Sequence, residues 1–438
     1  MTGVELGLLI IAGTFVLILL RVPIAVAMFI GGASGFAYAV GTAPLLNWMK
    51  SVAYSRLASF DLIVVPLFLL MGQFATYGGL SNLLFRFVNA FLGHFRGGLA
   101  LATVGACAGF GAICGSSIAT AATMAQVAYP QMSKFGYSGR LSTGSIAAGG
   151  TLGILIPPSV PLVVFAILTG ESIGKLFVAA IGPAAIAFLG YLLAVRYHVL
   201  RDPKAGPAGP CANWRERLRA TIAVIPVVLI FAAVVVSIYG GWSSPTEASA
   251  VGAVATFLLA LAHGLNRKGF LLSLLGTAQS TAMIFLILIG ADMLNSALAF
   301  TNMTNGITQW ITQSGFAPLL VVAVTMLIYI ALGCVMESMS MIVLTVPIFY
   351  PMIMQFDLWG MAPQDKSIWF GVMALMVVEI GLITPPVGLN AFVVNRIARN
   401  VPLADTFRGL VPFLTSDLAR VAILFFFPQV ALFLVHAL

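Results

Sequence analysis

The chain has 438 residues, of which 61% are hydrophobic and only 8% are charged, with a mean hydropathy of +1.07. Soluble domains carry about 25% charged residues, so this composition excludes a soluble globular protein and indicates an all-α polytopic membrane protein. Because the apolar runs are continuous and do not alternate with polar residues, they also exclude a transmembrane β-barrel.

Five membrane crossings and one interfacial helix are predicted in the first half of the chain. Residues 80–95 place apolar residues on one side of a helix and polar residues on the other, which is typical of a helix lying in the membrane interface. The predicted crossings are 4–21, 23–41, 61–77, the interrupted run 141–169, and 175–196.

Residues 97–133 are apolar but are interrupted by the glycine- and serine-rich sequence Gly109–Ser117. Each arm has about 16 residues, or about 24 Å at 1.5 Å per residue, which is shorter than the hydrocarbon core of about 30 Å. We therefore expect a re-entrant hairpin with its tip at Gly115, Ser116 and Ser117. Two short full crossings are the alternative.

Two Pro-Pro pairs interrupt apolar runs that are long enough to cross a membrane. Proline has no backbone N–H group, so the carbonyl four residues before each proline loses its helical partner. In lipid an unpaired carbonyl costs several kcal/mol, so such a break must lie inside protein or line a cavity, as in transporter binding sites. The prolines are Pro157, Pro158, Pro385 and Pro386, and the freed carbonyls are those of Gly153, Ile154, Gly381 and Leu382.

The second half repeats the features of the first half in the same order. Because the first half has an odd number of crossings, the second half starts on the opposite side, which predicts inverted repeats over 1–200 and 220–438, joined by a basic cytoplasmic linker at 201–219. The matching prolines are Pro23 with Pro245, Pro130 with Pro351, Pro157 with Pro385, and Pro183 with Pro412, at offsets of 222, 221, 228 and 229 residues. The second-half elements are crossings at 220–239, 245–265 and 270–300, an amphipathic piece at 303–313, a hairpin at 317–354, a broken helix at 367–395 and a last crossing at 408–435.

The basic residues predict the orientation. With the N-terminus outside, sixteen lysines and arginines fall on the inside and four on the outside, in agreement with the positive-inside rule. This distribution also explains the net charge of +8 without a nucleic-acid partner.

Four acidic residues lie at predicted membrane depth, where carboxylates are expensive and usually functional. Glu337 lies at the second hairpin tip, where it is either a ligand for a sodium ion or proton or a cap for a half-helix. Glu379 precedes the second break and is either a ligand or a helix brace. Glu247 follows Pro245, where an acid is ordinary capping chemistry, and the role of Asp292 stays open.

Oxygen groups gather at the breaks and at the hairpin tips. Sites built only from oxygen suit hard cations such as sodium, and half-helix N-termini attract a substrate carboxylate. Packing of small residues is the alternative role for the serines. The side chains concerned are Ser159, Thr384 and Asn390 at the breaks and Ser116, Ser117 and Ser338 at the tips.

Four motifs resemble the large membrane subunit of tripartite ATP-independent periplasmic (TRAP) transporters, within the ion-transporter superfamily of elevator carriers. They are G-x-x-C-G-S-S-I-A-T-A, G-T-L-G-I-L-I-P-P-S, S-P-T-E-A-S-A-V-G-A and G-L-I-T-P-P-V-G-L-N. The resemblance covers nearly the whole chain and implies a bacterial inner-membrane carrier with a scaffold and a moving transport domain, driven by a sodium gradient. It also implies two partners, a small four-helix membrane subunit and a soluble periplasmic protein that delivers an organic acid.

The resemblance further implies two sodium sites, each between a hairpin tip and a break. The ligands implied are Gly115, Ser116, Gly153, Ile154, Pro157 and Ser159 for the first ion, and Glu337, Ser338, Gly381, Leu382, Thr384, Val387 and Gly388 for the second. The residues implied for the substrate are Ser116, Ser117, Ser338, Glu337 and Asn390. One departure is Glu337, where the family is expected to carry aspartate more often.

Other functions fit the sequence less well. The alternative within transport is a stand-alone sodium- or proton-coupled carboxylate carrier without a binding protein. A membrane enzyme would need a cluster of ionisable residues at one depth, whereas the acids here are scattered, and a purely structural subunit would have no reason to keep two proline breaks. No arginine is well placed to bind a second carboxylate of the substrate. The sequence therefore does not favour a dicarboxylate substrate over a monocarboxylate.

Overall fold

The computed structural model describes residues 3–437, apart from the side chain of Ala53. All regular structure in this range is helical, and eight of its helical stretches are long and apolar enough to cross a membrane. Residues 1 and 2 at the start of the first predicted repeat, and residue 438 at the end of the second, lie outside the described range.

The first half contains every element that the sequence predicts and one more. The polar stretch after the second crossing forms a helix, α3, whose Arg56 is held by an ion pair with Asp292 of the second half. The helices are α1 Gly3–Leu19, α2 Ile24–Val40, α3 Thr42–Leu57, a 3-10 helix Phe60–Ile63, α4 Val64–Tyr77, α5 Leu80–Leu92, α6 Gly98–Cys114, α7 Ser117–Lys134, α8 Gly139–Leu155, α9 Val160–Thr169 and α10 Ile173–Arg201.

The second half follows the predicted order, with two differences. The last predicted crossing is two helices, because Pro428 has no N–H to continue the first. The helices are α11 Trp214–Tyr239, α12 Pro245–Ala262, α13 Arg267–Thr301, α14 Met303–Gln313, α15 Pro318–Gly333, α16 Ser338–Met354, α17 Pro363–Ile383, α18 Leu389–Ile397, α19 Leu403–Phe426 and α20 Gln429–Ala437.

The second difference is the linker, which is shorter than the predicted 201–219. Residue Arg201 is the last residue of α10, and α11 begins before the remaining arginines of the linker. Asn213 starts α11 with a capping box, in which its side chain accepts from the Glu216 N–H at 2.8 Å and Glu216 accepts from the Asn213 N–H at 2.9 Å. The non-helical connection is therefore residues 202–213.

Both predicted hairpins fold back on themselves. In the first, the N–H of Leu99 at the start of α6 donates to the hydroxyl of Tyr137 just beyond α7, at 3.1 Å. In the second, the ring centroids of Tyr329 in α15 and Phe349 in α16 lie 5.6 Å apart. The chain thus enters and leaves the first hairpin at the same end, and the two arms of the second hairpin pack against each other.

The first arms of the two broken helices form the centre of the molecule. Every residue of α8 from Leu141 and every residue of α17 from Lys366 is buried. Around them pack both hairpins, α10, α18 and α19. The interfacial helix α5 packs on α6 and α11, and its polar residue Ser81 is buried.

Candidate functional site

The first hairpin tip lies against the first break. Gly115 ends α6 with a left-handed backbone (φ +62°), and a Cβ on this residue would come within 3.4 Å of the Pro158 carbonyl oxygen. Ser116 and Ser159 are the N-caps of α7 and α9, so two half-helix N-termini face this junction. The tip and the break that the sequence assigns to the first ion are thus in direct contact.

One buried hydroxyl at this junction has no partner. A Cβ on Gly153 would come within 2.6 Å of the Thr120 Oγ1 and 3.2 Å of the Ser116 carbonyl oxygen, so these oxygens converge on the break. The Thr120 side chain is fully buried and makes no hydrogen bond within the described residues. Together with the freed carbonyls of Gly153 and Ile154, it supplies oxygen groups with spare lone pairs, as a small hard cation requires. Sequence reasoning missed Thr120, although it lies one turn beyond the tip.

The second hairpin tip contacts the second break through a hydrogen bond. The N–H of Gly388 donates to the Cys334 carbonyl at 3.1 Å. The Gly381 carbonyl, predicted to be free, accepts from the Thr384 N–H at 3.1 Å, so only its second lone pair is available. The Thr384 hydroxyl itself donates to the Ile380 carbonyl at 2.5 Å.

The two junctions are built in the same way. Gly111 of α6 touches Gly153 of α8, and Gly333 of α15 touches Gly381 of α17, so backbone meets backbone in both pairs. Gly111 and Gly333 are 222 residues apart, and Gly153 and Gly381 are 228 apart, which are the offsets of the matching prolines. The junctions differ in exposure, since the first Pro-Pro pair is buried and the second is exposed.

Glu337 caps the second half-helix of its hairpin. Its Oε2 accepts from the backbone N–H groups of Met339 at 3.0 Å and Ser340 at 3.2 Å. The capping role left open by the sequence is therefore present. Glu337 as a residue is half-buried, as is Ser116 at the other tip.

Three residues predicted to bind substrate are buried away from solvent: Ser117, Ser338 and Asn390. The Ser117 hydroxyl donates to Glu379 of α17, at 2.9 Å to Oε2 and 3.1 Å to Oε1. Glu379 is only 1% exposed. Its hydrogen bonds with Ser117 join the first hairpin to the second broken helix. These hydrogen bonds are the kind of contact that a helix brace makes. Ser117 is accordingly engaged with protein and not free for a ligand.

Asn390 also crosses between the halves. Its Nδ2 donates to the Ala147 carbonyl of α8 at 3.3 Å, while its Oδ1 is buried without a hydrogen bond in the described part of the chain. The second arm of the second broken helix thus packs against the first arm of the first broken helix.

A buried polar network lies behind α8 and was not predicted. The Tyr191 hydroxyl donates to Asp417 Oδ2 at 2.7 Å and lies 2.8 Å from the Thr151 hydroxyl, and Arg420 Nη2 is 2.9 Å from Asp417 Oδ1. Asp417 and Arg420 are 0% and 2% exposed. Asp417 and Arg420 are three residues apart in an apolar helix, which places both side chains on one face. This spacing could have indicated the ion pair from the sequence. The network joins α8, α10 and α19.

The other membrane-depth acids have structural partners. Glu247 completes a capping box with Ser244, as predicted. Asp292, whose role was open, accepts two hydrogen bonds from Arg56, one of them from Nη2 at 2.6 Å. This pair joins α3 to α13, and neither helix belongs to a hairpin or to a broken helix.

The comparisons with known proteins agree with this architecture. The family described as "Tripartite ATP-independent periplasmic transporter, DctM component" matches residues 11–430. The chain belongs to this family.

The TRAP relatives are transport proteins with several cargoes. The C4-dicarboxylate TRAP transporter large permease protein of Pseudomonas aeruginosa is 36% identical over 85% of this chain and 86% of its own length. The ectoine TRAP transporter large permease protein of Halomonas elongata is 30% identical over 95% and 96%. The sialic acid TRAP transporter permease of Haemophilus influenzae is 27% identical over 94% of this chain and 67% of its own length. The chain is therefore a TRAP large permease and not an enzyme.

A solved structure shows the same fold at low identity. The YdaH transporter of Alcanivorax borkumensis superimposes with a TM-score of 0.60 and 13% sequence identity over 89% of both chains. This similarity supports the same helical fold for the present chain. It carries no information about the cargo.

Proposed function

We propose that this TRAP permease imports an organic acid, which a periplasmic binding protein delivers, by coupling its movement to that of sodium ions. The observation that carries the proposal is the pair of junctions between a hairpin tip and a Pro-Pro break. Each presents backbone and side-chain oxygens to a small cation and a half-helix N-terminus to a carboxylate.

The two ions would occupy the two junctions. At the first, the ligands proposed are the carbonyls of Gly153 and Ile154 with Ser116 and Ser159, to which the unpartnered Thr120 hydroxyl is added. At the second, Glu337 and the carbonyls near Thr384–Gly388 would hold the ion. Sodium is cargo here, bound and released in each cycle.

The substrate carboxylate would lie between the tips, near the half-buried residues Ser116 and Glu337. The cargoes named for the relatives include C4-dicarboxylates, ectoine and sialic acid, which carry a carboxylate, and isethionate, which carries a sulfonate instead. We therefore propose an organic acid anion as the cargo, with a carboxylate as the first class to test, and assign no single compound.

The proposed arrangement is an inner-membrane protein with its N-terminus in the periplasm and two inverted repeats. The buried core of hairpins and broken helices would move as a transport domain against a scaffold that includes α1–α4 and α11–α13. The small membrane subunit would bind the scaffold. Proteins with paired repeats of this kind alternate access by moving one part against the other.

Reconstitution tests the proposal. The permease is placed in proteoliposomes with the small subunit and binding protein encoded beside it, and uptake of labelled organic acids is followed with and without an inward sodium gradient. We expect uptake only with the gradient and all three components. Uptake that is indifferent to sodium would overturn the coupling, and uptake by the permease alone would establish the stand-alone carrier instead.

A further inference from the structure

Two surface grooves meet where α10 and α19 leave the apolar part of the molecule. The larger, of about 820 Å³, is the more polar of the two, and we name it the headgroup groove: it is lined by residues that include Arg140, Arg201, Asp405 and Arg408. The smaller, of about 430 Å³, is apolar, and we name it the tail groove: it is lined by residues that include Leu193, Ala194 and Thr415. Three residues line both grooves, so they are continuous: Tyr197, Val411 and Pro412.

The headgroup groove has spare positive charge. Asp405 is shared by two arginines, with Arg140 Nε at 2.9 Å and Arg408 Nη1 at 3.6 Å from its Oδ1. Arg201 stacks over the Tyr197 ring at 5.0 Å and has no carboxylate within ion-pair distance among the described residues.

The remaining ionisable groups of the groove do not cancel this charge. The second carboxylate there, Asp202, accepts a backbone hydrogen bond from Lys204 at 3.1 Å. His198 also lines the groove. Three guanidinium groups thus face two carboxylates, and their free N–H groups suit a phosphate group.

The lengths of the helices place the two grooves at different depths. The 29 residues of α10 extend about 43 Å at 1.5 Å per residue, longer than the hydrocarbon core of about 30 Å, so its final turn lies among lipid headgroups. Tyr197 is there, as tyrosines commonly are at membrane interfaces. Leu193, one turn earlier and 67% exposed, lies at the depth of acyl chains.

We propose that the two grooves together bind one anionic glycerophospholipid of the surrounding membrane. Its phosphate would lie between Arg201 and Arg408, and one acyl chain would lie along the tail groove between α10 and α19. Basic pockets between helices on the cytoplasmic side of membrane proteins bind anionic headgroups in this way. The continuity of a cationic groove with an apolar one distinguishes this surface from a simple anion site.

Native mass spectrometry of the delipidated full chain tests the site. Phosphatidylglycerol and phosphatidylcholine with the same acyl chains are added in turn, and the bound fraction of each is measured. We expect phosphatidylglycerol to bind, and the double variant Arg201→Gln, Arg408→Gln to weaken that binding about tenfold or more. Arg196→Gln is the matched control, because Arg196 is exposed on the same helix and lines neither groove. It should change binding less than about twofold.

Further arms of the experiment separate a lipid from other occupants. Thr415→Trp, which fills the tail groove, should weaken the binding of long-chain phosphatidylglycerol, whereas Thr415→Ser should not. Inorganic phosphate should fail to displace the lipid at equal concentration. Equal binding of phosphatidylcholine, equal loss in Arg196→Gln, displacement by phosphate, or a dimer of the chain that the double variant abolishes would each overturn the proposal.

Discussion

The Glu337 carboxylate caps α16 and is the only acid at the described hairpin tips, so the proposed ion ligand is also a helix cap. Capping needs a hydrogen-bond acceptor, which an amide oxygen can supply, whereas a cation ligand gains from the negative charge. Substitutions at this position can therefore separate the two functions.

We expect Glu337→Gln to keep the fold and to lower sodium-driven uptake about tenfold or more, since the amide retains the cap but removes the charge. Glu337→Asp, which preserves the charge, is the control and should retain measurable uptake. The measurements are uptake in proteoliposomes and the melting temperature in detergent. Full uptake by the glutamine variant would remove Glu337 from the ion site.

Asp417 belongs to the buried network behind α8, where removing one partner leaves an uncompensated charge on Arg420. We expect Asp417→Asn to lower stability by roughly 3–5 kcal/mol. Asp405→Asn is the matched control, because its arginine pairs are exposed to water and each contributes about 0–1 kcal/mol. Thermal unfolding followed by size-exclusion chromatography compares the two variants. Equal melting temperatures would show that the network does not brace α8.

At the scale of the elements, the two glycine pairs decide how closely a hairpin approaches a broken helix. With no Cβ on either side, the backbones touch, which brings each hairpin tip close to its break. A larger residue in either pair would separate the tip from the break, even though it changes no polar group. The junctions thus depend on shape as well as on oxygen atoms.

We expect Gly111→Ala and Gly381→Ala each to destabilise the chain by roughly 1–3 kcal/mol and to reduce uptake, because the added methyl group overlaps the partner backbone. A Cβ on Gly381 would lie 2.5 Å from the Gly333 Cα. Gly13→Ala in α1 is the control, since nothing lies within 4 Å of its Cβ position. Melting temperature and uptake are measured for all three variants. Unchanged behaviour of the two junction variants would contradict close packing there.

At the scale of the whole molecule, the orientation can be read from one native cysteine. Cys211 is exposed in the connection between the halves, whereas Cys107, Cys114 and Cys334 are buried. With the N-terminus in the periplasm, this connection is cytoplasmic. We expect a membrane-impermeant maleimide to label inside-out vesicles and not intact spheroplasts. Cys211→Ser is the control and should abolish labelling, and labelling of intact spheroplasts would reverse the proposed topology.

Most of the helices could be predicted from the sequence, because a bilayer imposes long apolar runs and proline removes hydrogen-bond donors at positions that can be read directly. The hairpins, the Pro-Pro breaks and the family follow from such local patterns. The helix α3 was not predicted, since its polar residues gave no apolar run and its Arg56 is held by a distant aspartate.

The sequence by itself therefore determined a helical membrane carrier with two tips and two breaks, since each of these depends on neighbouring residues. Only the tertiary structure decided which oxygens remain free. Ser117 is occupied by Glu379, 262 residues away, Asn390 reaches α8, and the Thr120 hydroxyl is left without a partner at the first junction. Contacts between distant segments determine these pairings, because side chains brought together by folding compete for the same hydrogen bonds.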